Sequence, residues 1–160
     1  MKDTNMPKVY VLVGIPGSGK STWVRNQDWA EDCAYVSTDI WVEMEAEHQG
    51  KTYSEVFKDY MPKAVNIMSA QVVDAREQGR DIIWDQTSTT VKSRARKFNM
   101  LPDYEHIAVV FRCPEASELF RRLNSRPGKN IPINVIEGMI KNFEIPTEEE
   151  GFKEIWYAQS

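Results

Sequence analysis

Long apolar runs are missing from this 160-residue chain, and with them any candidate for a membrane-spanning helix. Cysteine is scarce. Cys33 and Cys113 are too few for a disulfide framework or a cysteine-rich zinc site. Both lie in or beside apolar strand-like runs, so both are expected as buried thiols in a reducing compartment. Positive charge is not in excess: the formal net charge is −4, which excludes a protein that simply coats nucleic acid. It leaves room for a local basic groove on an acidic body. Histidine occurs twice, as His48 and His106, with no metal or nucleophile spacing, and a structural role is expected for each. Repeats and low-complexity tracts are absent. Met1-Lys2-Asp3-Thr4-Asn5 lacks the shape of a signal peptide, so a cytoplasmic protein is expected.

What is present alternates short apolar runs with longer helical segments, the pattern of an α/β fold. The size suits one domain over residues 1–160. Strands are expected over about Lys8–Val13, Ala34–Ser37, Asp81–Trp84, His106–Phe111 and Phe152–Ala158. Helices are expected from Lys20, over Ile40–Gln49, over about Ser54–Gln78 with Ser54 as cap, from Thr90 to Met100, from Pro114 to Asn124 and from Pro132 to Phe143. Ser125–Asn130 reads as a polar loop, and Glu148-Glu149-Glu150 as a solvated one.

Between the first strand and first helix stands Gly14-Ile15-Pro16-Gly17-Ser18-Gly19-Lys20-Ser21, followed by Thr22. This is G-x-x-x-x-G-K-S in the strand–loop–helix setting of a phosphate-binding loop. Gly14, Gly17 and Gly19 let the backbone curl so that successive N–H groups point inward at phosphate oxygens. The helix start adds its positive end. Lys20 is expected to reach the β- and γ-phosphates of ATP, and Ser21 to ligate Mg²⁺. A Gly-rich turn matching by accident is the bland alternative, and the flanking pattern speaks against it.

In open α/β sheets ligands sit at the carboxyl ends of the strands. There the second strand delivers Asp39, and the third delivers Asp85, then Thr87 and Ser88. Asp39 suits a base for an attacking hydroxyl, and Asp85 suits substrate orientation or an outer metal contact. Each could instead be an ordinary cap or loop aspartate. Arg122 and Arg126 stand four apart before a Pro-Gly loop and would share one helix face if the helix reached that far. Their planar forks suit phosphate oxygens. A second basic run, Lys92 to Lys97, could hold a polyanionic acceptor or be a solvated helix face. Trp41, just past Asp39, could stack on an acceptor base. Trp23 and Trp84 read as core, and Tyr53 and Tyr60 as packing residues.

These segments together resemble the kinase domain of the phage polynucleotide kinases, within the wider group of small P-loop kinases. Gly14–Trp23 resembles that family's loop, Val36–Asp39 the segment carrying its general base, Ile82–Asp85 the segment whose aspartate contacts the acceptor, and Glu118–Pro132 its lid with two arginines. The resemblance covers nearly the whole chain. It implies a five-stranded parallel sheet of order 2-3-1-4-5 under a helical lid. It also implies transfer of the γ-phosphate of ATP to a 5′-hydroxyl of DNA or RNA, in a host's cytoplasm if the chain is phage-encoded. Asp39, Lys20 and Arg126 would be catalytic, with Asp39, Trp41, Asp85 and Thr87 on the acceptor side. Pro16, Ser18, Thr22 and Arg122 would join the P-loop residues on the donor side. Two positions depart from the pattern. The family has an arginine three residues after its base, where this chain has Val42, and its Asp-x-Asn is here Asp85-Gln86-Thr87. Both fall on the acceptor side. A related group phosphorylates the hydroxymethyl group of a modified pyrimidine in phage DNA, and an altered acceptor pocket fits that alternative. A kinase of a small metabolite or free nucleotide would use the same donor site.

Overall fold

The computed structural model describes residues 6–158; the N-terminal residues read above for a signal peptide lie outside the described residues. Five strands, β1 (Lys8–Val13), β2 (Ala34–Ser37), β3 (Ile82–Asp85), β4 (Glu105–Phe111) and β5 (Glu154–Ala158), form one parallel sheet of order β2-β3-β1-β4-β5. The helices are α1 (Lys20–Arg25), α2 (Asp39–Gln49), α3 (Tyr53–Glu77), α4 (Val91–Met100), α5 (Ala116–Asn124) and α6 (Ile133–Lys141). No helix among the described residues is long and apolar enough to cross a membrane.

β1 is central because its sequence is apolar on both faces. Val9, Val11 and Val13 pack with Met68 and Val72 of α3, while Tyr10 and Leu12 face the opposite layer. That layer is largely aromatic. Tyr10 and Trp29 rings lie 4.5 Å apart, and Trp23 meets Phe111 edge-on at 5.9 Å. Trp84 is buried, as expected. Parallel register then aligns the strand ends: Ser37 pairs with Asp85, and Val13 with Val110.

Several local expectations are corrected. Thr52, not Ser54, caps α3: its side chain accepts from Glu55 N–H, and Glu55 accepts from Thr52 N–H. Ser54 is thereby free for a different partner. Cys33 is buried, but Cys113 is exposed because β4 stops at Phe111. The Lys92–Lys97 run is neither an open polyanion surface nor a solvated face at two of its four cations, Arg94 and Lys97, while Lys92 and Arg96 are exposed. Arg94 is 0% exposed; its Nε and Nη2 donate to both carboxylate oxygens of Glu150 at 2.9 and 3.0 Å, and its Nη1 to the Ser88 carbonyl at 2.9 Å. Lys97 is buried with its ammonium 5.0 Å from the Trp84 ring. Glu150 is therefore an internal partner, whereas Glu148 and Glu149 remain exposed.

Arg94 matters beyond its own pair. It clamps the loop after β3 at Ser88, a non-glycine held at φ 48°. The same loop joins the phosphate-binding loop through Gly14 N–H donating to the Thr87 carbonyl at 2.9 Å. Arg94→Met strands a buried carboxylate and a buried carbonyl, for a loss of about 3–5 kcal/mol. Thermal denaturation is expected to show a drop on the order of 10 °C. A change within a degree or two would show that the pair adds nothing.

Candidate active site

The phosphate-binding loop connects β1 to α1. Gly17 and Gly19 sit at φ 82° and φ 100°, a conformation side chains resist. A Cβ on Gly17 would lie 3.1 Å from Leu119 and 3.3 Å from Leu123, so α5 rests on the loop. A Cβ on Gly14 would meet Ser18 Oγ at 2.5 Å and Phe111 at 2.9 Å. The first turn of α1 carries no side-chain cap, which leaves its N–H groups for an anion. Ser18 Oγ is buried without a hydrogen-bond partner.

Lys20 Nζ donates to the carbonyls of Gly14 and Ile15 at 2.8 and 3.0 Å, holding the loop curled. Burial pulls its pKa down to about 8, against the opposing pull of Asp85 and Asp39. Arg122 braces the loop from α5. Its Nη1 donates to the Gly17 carbonyl at 3.0 Å and its Nε to Glu118 at 2.7 Å. Arg126 is not on the same helix face, because α5 ends at Asn124. It lies in the following turn, closed by Lys129 N–H donating to the Arg126 carbonyl, and it lines the cleft.

That cleft, of about 900 Å³, runs from the loop across the strand ends. Lys20, Asp39, Asp85, Arg126 and Lys129 line its polar side, and Phe57 and Val135 its apolar wall. Asp85 ends β3 and is 8% exposed; the Tyr35 phenol of neighbouring β2 donates to it. Burial raises the Asp85 pKa above the usual carboxylate range, with the Tyr35 hydrogen bond and Lys20 opposing. Asp39 opens α2, where the helix dipole favours a carboxylate. Tyr53 Oη donates to its Oδ1 at 2.6 Å and Lys129 Nζ to its Oδ2 at 2.9 Å. Burial alone would raise its pKa; Lys129, the Tyr53 hydrogen bond and Lys20 outweigh that and hold the carboxyl below its usual range. Asp39 is therefore ionised at neutral pH, and each oxygen keeps a second lone pair for an incoming hydroxyl.

Pro16, Ser21, Thr22 and Thr87 also line the cleft. Trp41 does not. Its Nε1 donates to Gln71 at 3.2 Å, and its half-buried ring packs against the cluster of Val42 and Ala46 between α2 and α3, away from the cleft lining. Val42 is 0% exposed in the same layer. Three side chains at the carboxylates were not expected from the sequence: Tyr35, Tyr53 and Lys129. Only Lys129 carried a signal, as the second cation of the Ser125–Asn130 loop.

The groups present fit ATP and Mg²⁺. The donor loop is built, and Ser18 Oγ is an orphan within it. No cluster of three or more His, Cys, Asp or Glu among the described residues suggests an all-protein metal cage. Magnesium needs none, since it takes one or two protein oxygens plus phosphates and water.

A glycine-curled loop with its lysine, two aspartates at adjoining strand ends and a 2-3-1-4-5 sheet define a P-loop domain with the fold of the small kinases. The chain belongs to the AAA_33 family, an AAA domain, whose model matches residues 9–146. Its sequence is 24% identical over 159 residues to the bifunctional polynucleotide phosphatase/kinase of Schizosaccharomyces pombe, covering 96% of this chain and 34% of that protein. The chain thus spans about a third of that relative's length. Among solved structures, a candidate kinase from Chloroflexus aurantiacus superposes with TM-score 0.73 at 18% identity, over 97% of this chain and 86% of that one. A chain of the Pnkp1/Rnl/Hen1 RNA repair complex superposes with TM-score 0.63 at 25% identity, over 86% of this chain and 44% of that one. A gluconokinase from Sinorhizobium meliloti 1021 shares the fold, with TM-score 0.53 at 16% identity over 97% of this chain and 85% of that one.

Proposed function

We propose that this chain transfers the γ-phosphate of ATP to a hydroxyl of a nucleic acid, first of all a polynucleotide 5′-hydroxyl. The observation that carries the reading is an ionised Asp39 in the same cleft as Lys20 and the phosphate-binding loop. The polynucleotide phosphatase/kinase and the RNA repair complex among its relatives support the nucleic-acid acceptor.

Asp39 accepts the proton that the acceptor hydroxyl loses as its oxygen bonds the γ-phosphorus and the bond to the departing ADP oxygen breaks. Lys20 and Arg126 face the charge that spreads over the transferring phosphoryl group. Arg122 keeps the loop in register. Asp85, held by Tyr35, orients the acceptor, with Thr87 beside it. Ser21 would hold the magnesium ion, whose contribution when bound is to neutralise phosphate charge.

A second reading, phosphorylation of the hydroxymethyl group of 5-hydroxymethyl-pyrimidine in DNA, is favoured by the buried Val42. That position offers no cation to a backbone phosphate, and the apolar wall of Phe57 and Val135 suits a flat base. The gluconokinase likeness keeps a small-molecule acceptor as a third. Labelled γ-phosphate offered with 5′-hydroxyl oligonucleotides, hydroxymethyl-pyrimidine DNA, nucleosides and sugar acids decides among them. Label on the 5′-hydroxyl oligonucleotide is the expected result. Label confined to a nucleoside or sugar acid would overturn the nucleic-acid reading.

A further inference from the structure

Lys129 is an unusual lysine. It belongs to the polar loop after α5, yet its side chain is only 8% exposed. Its ammonium donates to Asp39 Oδ2 at 2.9 Å and sits 4.3 Å above the Tyr53 ring, whose hydroxyl donates to the other Asp39 oxygen. The loop that carries it is fastened to the start of α3. Ser54 N–H donates to the Gly128 carbonyl at 3.0 Å, and Asn130 N–H donates to Ser54 Oγ at 2.8 Å. Gly128 stands at φ 75°, and a Cβ there would fall 2.7 Å from Thr52 Cβ. Only glycine lets the loop lie this close.

The geometry points to Lys129 as a positioning residue that arms Asp39: closing the loop onto Tyr53 and Ser54 places the cation that keeps Asp39 ionised and aimed, so base activation is tied to lid closure. This rests on the phosphoryl-transfer reading above. The surroundings explain why a cation is needed there. Asp39 is faced by Asp85 from β3 and by Glu43 one turn along α2, both cleft residues, and by the neutral phenols Tyr35 and Tyr53. Lys20 and Arg126 supply the other positive charge nearby. Two carboxylates close together disfavour each other's ionised form. Lys20 is committed to the Gly14 and Ile15 carbonyls, so Lys129 is the cation bonded directly to Asp39. With the loop lifted, Asp39 would lose it.

The sign follows. Removing the cation raises the Asp39 pKa, so the ionised base is lost as pH falls from a higher starting point. In Lys129→Met, the Asp39 carboxyl carbon, followed by ¹³C NMR in the acceptor-free protein, is expected to titrate about one pH unit higher. The acid limb of the kcat profile should move with it, so the activity loss is about tenfold greater at low pH than on the alkaline plateau. Lys129→Arg keeps the charge and should restore the limb. Gly128→Ala keeps the lysine but pushes the loop off Thr52, and should raise the Asp39 titration as Lys129→Met does. An unchanged Asp39 titration in Lys129→Met would overturn the proposal, and so would an equal loss of activity at every pH. The carboxylate titration needs no acceptor, so it decides the role of Lys129 even if the wild-type protein labels no oligonucleotide.

Discussion

Asp39→Asn is expected to abolish phosphoryl transfer, by about 10²–10⁴-fold in kcat, while nucleotide binding stays within about twofold of wild type. Asparagine occupies the same space and still accepts from Tyr53 Oη, but it cannot take the acceptor's proton. The donor side is untouched, because Lys20 and Arg122 hold the phosphate-binding loop through Gly14, Ile15 and Gly17 without Asp39. The fold should also survive. Losing the carboxylate costs about 0.3–1 kcal/mol in the first turn of α2, and leaving the mostly buried Lys129 ammonium without its charge partner costs about 1–3 kcal/mol more, so the variant is expected to fold with reduced stability. Single-turnover transfer alongside equilibrium binding of a fluorescent ATP analogue separates the two effects. Retention of more than about a tenth of the wild-type rate would remove Asp39 from the role of base.

Lys20→Met is expected to fail on the donor side, with transfer reduced by about 10²–10³-fold or more. Two losses add. The ammonium that faces the transferring phosphoryl group is gone, and so are its hydrogen bonds to the Gly14 and Ile15 carbonyls, which keep the loop curled. Unlike Asp39→Asn, this variant should also bind nucleotide more weakly. A double variant should be no worse than the more impaired single, since both side chains serve one step. A pure binding defect, with kcat recovered at saturating ATP, would place Lys20 in loop structure alone.

The strands and the phosphate-binding loop were legible in the sequence for a physical reason, whereas the sheet order came only with the family resemblance. A buried parallel strand must be a continuous apolar run, and a phosphate loop must carry glycines at fixed spacing, so β1 and Gly14–Ser21 announce themselves. Asp39 and Asp85 followed because strand ends in a parallel sheet gather at one rim. The support around them was not legible. Tyr53 follows Asp39 by 14 residues and Lys129 follows it by 90, and neither separation has a period that would betray contact. Trp41 and the Lys92–Lys97 run misled in the opposite way. An aromatic beside an aspartate at a strand end and a cluster of cations both look functional. Yet helix rotation turned Trp41 toward Gln71, and a glutamate 56 residues downstream drew Arg94 into the interior. The charge pattern of one segment cannot show which distant carboxylate will neutralise it.

A crystal structure with a non-hydrolysable ATP analogue and a short 5′-hydroxyl oligonucleotide tests the central claim most directly. The account requires the acceptor hydroxyl roughly 2.6–3.2 Å from an Asp39 carboxylate oxygen. It also requires that hydroxyl to lie in line with a γ-phosphorus held by Lys20, with Lys129 on the other Asp39 oxygen. An acceptor hydroxyl bound out of reach of Asp39, with the triphosphate seated in the loop as expected, would contradict it.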